Sequence, residues 1–215
     1  MKYRVMVEVE YFIALCELPL PQLKNFRTDD FGSIRNIYES FSVDDAKKIK
    51  DLEKVTNHDV KAVEYYLKGQ FEQFGFQQYK EFIHFGLTSQ DINNTAVPYS
   101  LKQALKDIYF PLVSQVVEKL SGMAGAWKNI PMLARTHGQP ASPTRVGKEI
   151  LVFVERLTTQ YDQLKKIPVS AKFGGSTGNF NAHAAAYPEI NWVQFADDFI
   201  ERSFNLSRLQ TTTQI

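Results

Sequence analysis

The sequence predicts an all-α protein. Apolar residues recur at helical spacing over long stretches. Leu101, Leu105, Ile108 and Leu112 form one stripe, and Val146, Ile150, Phe153, Leu157, Tyr161 and Leu164 form another. The second stripe runs for several turns and has the pattern of bundle packing. Hydroxyl-x-x-acid signatures at Ser42/Asp45, Thr56/Asp59 and Thr88/Asp91 also mark helix starts.

Composition narrows the function classes. The 215 residues are 44% hydrophobic and 23% charged, which is ordinary globular usage and enough for a core. Lys+Arg 25 against Asp+Glu 24 offers no electrostatic footprint for nucleic acid or an anionic membrane. No run approaches the ~20 apolar residues of a membrane helix. Cys16 is the only cysteine, so neither an intrachain disulfide nor a cysteine zinc site is possible, and a cytoplasmic setting fits.

In chain order, residues 1–17 are open between strand and helix. Val5, Val7, Val9 and Tyr11 alternate, while Val5, Val9, Phe12 and Cys16 share a helical face. Pro19 and Pro21 end the element. Phe31, Ile34, Tyr38 and Phe41 mark a second helix, and Ser42 opens a third with Ala46, Ile49 and Leu52 inward. Thr56 and Asp59 are expected to open a fourth, with Val60, Val63 and Leu67 as its stripe and Gly69 as its C-cap. That places Asn57, His58 and Asp59 in a first turn, where free N–H groups favour anions.

Gly86-Leu87-Thr88-Ser89-Gln90-Asp91 repeats the pattern, and the hydroxyls of Thr88 and Ser89 beside free N–H groups suit a carboxylate or phosphate. Ile92–Trp127 reads as a long helical stretch with a kink or break expected near Pro98 and Pro111. Residues 128–143 read as a constrained proline-rich loop holding Arg135-Thr136-His137-Gly138-Gln139-Pro140. An imidazole aimed from such a loop is suited to proton transfer near neutrality. Thr144–Lys166 is a helix stopped by Pro168. Lys172–Asn181 is a glycine-rich loop without a Walker or dinucleotide setting, so its glycines serve close backbone approach. Trp192, Phe195 and Phe199 mark a last helix. His58, His84, His137 and His183 lack helix-borne metal spacing, and no serine sits in a nucleophile elbow.

Several of these stretches, taken together and in order, resemble the adenylosuccinate lyase family. They are Thr56–Tyr65, Glu81–Asn94, Arg135–Ala141, Gly178–His183 and Thr212–Ile215. The resemblance spans essentially the whole chain and implies that residues 1–17 are helical. It implies membership of the fumarase/aspartase superfamily: all-α, with a central bundle of long helices, and homotetrameric. On this basis residues 1–87 are expected to be the remainder of an N-terminal helical domain, and 88–215 the first long helices of the bundle.

The implied reaction is β-elimination of fumarate from adenylosuccinate to give AMP, and from the succinocarboxamide intermediate of purine synthesis, with no cofactor. The resemblance makes His137 the general acid and His58 its supporting histidine. It places Asn57, Asp59, His84 and Gln214 at the purine nucleotide substrate, and Thr88 and Ser89 at its succinyl part. His183 receives no role. The family's N-terminal Arg-Tyr pair and its serine-rich base loop have no counterpart in these residues. An internal piece, inactive in isolation, is therefore expected. A sister lyase acting on argininosuccinate is the alternative.

Overall fold

The computed structural model describes all 215 residues. Nine α-helices carry the fold: α1 (Lys2–Cys16), α2 (Phe31–Glu39), α3 (Val43–Thr56), α4 (Asp59–Gln73), α5 (Ser89–Ala104), α6 (Phe110–Ala126), α7 (Val146–Lys165), α8 (Asn181–Ala186) and α9 (Trp192–Phe204). Strands are confined to two short pairs, β1 (Pro131–Thr136) with β2 (Gln139–Arg145), and β3 (Ser170–Ala171) with β4 (Ser207–Arg208). The all-α expectation holds. No helix is long and apolar enough to cross a membrane.

The chain divides into two compact units. The first joins Met1–Ser100 to Val169–Ile215, and the second is Leu101–Pro168. In the first, α1 packs against α2, α4 and α9. Val5, Val7, Val9, Tyr11, Phe12, Ile13 and Leu15 are all buried, so α1 is covered over most of its circumference. This explains its double periodicity: a helix so largely buried has little polar face to phase the pattern. Edge-to-face rings close the core around it, Phe12 on Phe26 and Phe71, and Tyr11 on Phe173 and Phe199.

Local chemistry sets the boundaries. Ser42 and Asp45 form the expected reciprocal cap on α3. Thr56 does not cap α4. It is the last residue of α3, which ends on Asn57 in the left-handed region, and His58 is the N-cap instead. Gly69 lies inside α4, and the helix stops only near Gly75, whose φ is 79°. Pro98 is accommodated within α5, without a break. Before Pro111, residues Leu105–Tyr109 form a π turn. Proline has no N–H and crowds the carbonyl four residues back, and a wider turn relieves both.

In the second unit, α6 and α7 pack together, and Gly147 lets them touch: a Cβ there would lie 2.2 Å from the Ala124 carbonyl oxygen. The connection between them, expected as a loop, is an antiparallel hairpin with Thr136 opposite Gln139 and Arg135 opposite Pro140. Both turn residues, His137 and Gly138, have positive φ, 50° and 77°. That is the two-residue turn whose twist matches the strands. Pro131, Pro140 and Pro143 fit in these strands because a two-stranded ribbon has only edges. Within this unit Leu101, Ile108, Leu112 and Val116 remain exposed, as do Leu151, Phe153 and Leu157.

Candidate functional site

Seven of the eight residues singled out by sequence, Asn57, His58, Asp59, His84, Thr88, Ser89 and Gln214, belong to the first unit. His137 belongs to the second, exposed at the tip of its hairpin.

The α3–α4 junction builds one part of the site. Asn57 tolerates φ 50° and turns the chain, so α4 restarts at once. Nδ1 of His58 accepts the Lys61 backbone N–H at 3.1 Å, leaving its other ring nitrogen for something else. Asp59 caps with Oδ1 on the Val60 N–H at 2.8 Å, while Oδ2 pairs with Arg4 at 3.0 Å and lies 3.5 Å from the Asn93 amide. These partners, with His58, hold its carboxyl below the usual range against the opposing pull of partial burial. Asn93 belongs to α5, so the start of α4 is tied to α5.

The start of α5 is the second part. Thr88 donates its N–H to Asp91 Oδ2 at 2.8 Å. Asp91 is fully buried and has both oxygens occupied. Oδ1 accepts from Lys172 Nζ at 2.7 Å and the Gly174 N–H at 2.8 Å, and Oδ2 also accepts the Gly175 N–H at 3.1 Å. One carboxylate thus joins the helix start to the glycine-rich loop, and the Thr88 hydroxyl is left facing outward. The loop glycines work by close approach, as expected: a Cβ on Gly178 would stand 2.6 Å from the Thr212 carbonyl oxygen. The terminal stretch lies against Gly178, and the Gln214 amide donates to the Thr88 hydroxyl at 3.3 Å.

His84 lies between a 3₁₀ helix, Gln77–Phe82, and α5 in a left-handed conformation, φ 61°, followed by Gly86 at φ 68°. Its Nδ1 is 2.6 Å from Oε1 of Glu8, a fully buried acid of α1. Burial opposes the charged imidazole, but Glu8, helped by Glu64, raises the His84 pKa above its ordinary value. Behind it, Tyr11 donates to the Phe85 carbonyl at 2.8 Å and lies 3.0 Å from His183 Nε2. Burial drives His183 down to about 4, so it is a neutral packing element. Its ring occupies the space that a Gly86 side chain would need.

Sequence reasoning passed over Glu8, Lys172 and Tyr11. A signal was available for Glu8: a lone acid within the apolar run Val5–Val9 must find a partner if that run is buried. No three His, Cys, Asp or Glu side chains converge as a metal cage. A cavity of about 790 Å³ lies elsewhere in this unit beside Glu10, Arg35, Tyr38 and α9.

The chain matches the model of a family described as lyase over residues 4–213. It is 50% identical to the adenylosuccinate lyase of Dictyostelium discoideum and 41% identical to that of Escherichia coli K12, each match covering all of this chain and 47% of the relative. The chain therefore spans about half the length of the curated relatives it matches. Among solved structures, a fumarate lyase from Mesorhizobium sp. BNC1 superimposes with TM-score 0.75 at 20% identity, covering 98% of this chain and 47% of the other. The 3-carboxy-cis,cis-muconate lactonizing enzyme of Pseudomonas putida does so with TM-score 0.75 at 18% identity, covering 98% and 46%. At such identities these two likenesses establish the fold.

Proposed function

This chain belongs to the lyase family, and on that premise we propose that it supplies the proton donor and the substrate cradle of an adenylosuccinate lyase. The reaction is β-elimination of fumarate from adenylosuccinate to AMP, and the same cleavage of the succinocarboxamide intermediate of purine synthesis. One observation carries the reading: the Gln214 amide, 126 residues away in sequence, is brought onto the Thr88 hydroxyl at the start of α5. An amide and a hydroxyl beside unpaired helix N–H groups make a receptor for a carboxylate.

In the proposed mechanism, Thr88, Ser89 and Gln214 bind the succinyl carboxylates. Asn57, Asp59 and the free nitrogen of His58 bind the rest of the nucleotide, and His84 lines the pocket. A base removes the proton next to a carboxylate, the carbon–nitrogen bond breaks, and His137 protonates the departing nitrogen. His137 must be charged when substrate binds, which a substrate phosphate or carboxylate favours. We assign no base among these residues. Residues 1–87 are read as part of an N-terminal helical domain and 88–215 as part of the bundle of a cytoplasmic homotetramer whose sites combine different subunits. The uncovered apolar residues of α6 and α7 support that assembly.

The test is fumarate release from adenylosuccinate by the protein that contains this chain. His137→Ala is expected to lower turnover by about 10²–10⁴-fold, the usual contribution of a general acid, with little change in KM. Near-normal turnover in that variant removes His137 from the role. Fumarate release from argininosuccinate in preference to adenylosuccinate replaces the substrate.

A further inference from the structure

We propose that Glu8 is a positioning residue that keeps His84 a cation and turns its remaining N–H toward an anionic group of the substrate. The inference deepens the function proposed above and rests on it for the identity of that anion. Three observations on separate elements converge.

First, the buried Glu8 carboxyl meets one polar partner, His84. It is fully buried on α1 among Val5, Val7, Val9 and Phe12. Its Oε1 is 2.6 Å from His84 Nδ1, and its Oε2 has no hydrogen-bond partner. A carboxylate in such surroundings survives only beside a full positive charge. Second, His84 carries backbone strain. A histidine at φ 61° is disfavoured, and the following turn needs Gly86 at φ 68° to hold it. In that conformation Nδ1 reaches Glu8. Third, the two partners differ in access. The Glu8 side chain is 0% exposed and that of His84 15%. With Nδ1 committed inward, the proton His84 can offer elsewhere is the one on Nε2.

The charged neighbours divide in sign, with the two acids on one side and a lysine on the other. From α4, Glu64 favours the His84 cation and Lys61 opposes it, while Glu8 acts from α1. Lys61 and Lys68 are themselves bound to Glu64, which spends part of their charge there. Lys61 also gives its N–H to His58.

The experiment is histidine ¹⁵N NMR on the 215-residue chain, with His84 assigned by His84→Asn, followed by titration with succinate. In the wild type both ring nitrogens of His84 are expected to stay protonated above the ordinary histidine range, and succinate is expected to shift the Nε2 resonance. In Glu8→Gln, burial then acts unopposed by Glu8. The ratio of charged to neutral His84 at a given pH should fall at least tenfold, and the succinate shift should vanish. Glu8→Asp should recover part of both. A wild-type His84 that is neutral at pH 7, or a cation unmoved by succinate, overturns the proposal, and the first of these readings needs no substrate and no variant to fold. The function fails separately: an intact Glu8–His84 pair in a protein that releases no fumarate from adenylosuccinate removes the enzyme reading and leaves the pair.

Discussion

Replacing Asp91 by Asn should destabilise the first unit more than any other single polar change. The wild-type carboxylate receives the Lys172 ammonium and the N–H groups of Thr88, Gly174 and Gly175, in a site where both charged side chains are essentially inaccessible. An amide offers one acceptor atom and turns an NH₂ toward the donors formerly bound by the other oxygen. Lys172 keeps its charge with no counterion. Breaking a buried pair from one side costs about 3–5 kcal/mol. That is a large share of the ~5–15 kcal/mol that holds a domain together. At about 2–4 °C per kcal/mol for a chain of this size, Tm should fall by roughly 6–20 °C. Urea unfolding followed by far-ultraviolet circular dichroism measures the loss, with the m-value unchanged. The double variant Asp91→Asn/Lys172→Met removes the stranded charge and should recover part of the stability. A loss below ~1 kcal/mol in the single variant, or a double variant worse than the sum of the singles, would refute the reasoning.

Gly86→Ala should cost about 1–2 kcal/mol for the left-handed backbone alone, and more because the new Cβ would lie 2.8 Å from the buried His183 ring, as urea unfolding will measure. His183 is neutral in the fold because burial lowers its pKa to about 4 against an ordinary 6.5. The unfolded chain therefore binds the extra proton between those values. Stability from this residue is complete above pH 6.5 and is lost as pH falls toward 4, by about 3 kcal/mol at ~1.4 kcal/mol per unit, and His183→Gln should flatten that slope. His84 runs the other way. Its raised pKa gives stability that is complete below 6.5 and declines as pH rises through the raised value, a decline that Glu8→Gln should abolish in denaturation curves taken from pH 6 to 9. Gly178→Ala should displace Thr212, at 2.6 Å from the added Cβ, and with it Gln214. Binding of succinate by calorimetry should weaken while α-helical content is retained.

Much of this fold was legible in the chain because amphipathic elements announce themselves. The polar faces of α3, α7 and α9 gave the period, and Ser42 with Asp45 gave a start. Where the reading failed, a local rule lost to a neighbouring one. Thr56 matched a helix start, but an αL-tolerant Asn57 let the preceding helix run on through it. Gly69 resembled a cap, yet it lies amid a continuous helix whose packing outweighs one glycine. The loop at 128–143 became a hairpin because His137-Gly138 supplies the two positive φ angles that such a turn demands, a signal masked by the prolines around it. At the site, histidines, hydroxyls and Gln214 could be named from motifs. Glu8 and Lys172 could not, since what makes them matter is burial against partners 76 and 81 residues distant.

The first unit is sewn from the two ends of the chain, with the 101–168 segment interposed. The hydroxyl of Tyr11 meets His183 across 172 residues. Closing so wide a loop is entropically costly, though the cost grows only slowly with length, and folding that waits on such distant contacts is slow. During synthesis α1 is made well before α9, which packs on it only once the interposed segment has been translated. For that interval α1 has α2 and α4 against it but lacks α9, and chaperone demand should track the time taken to translate the interposed segment.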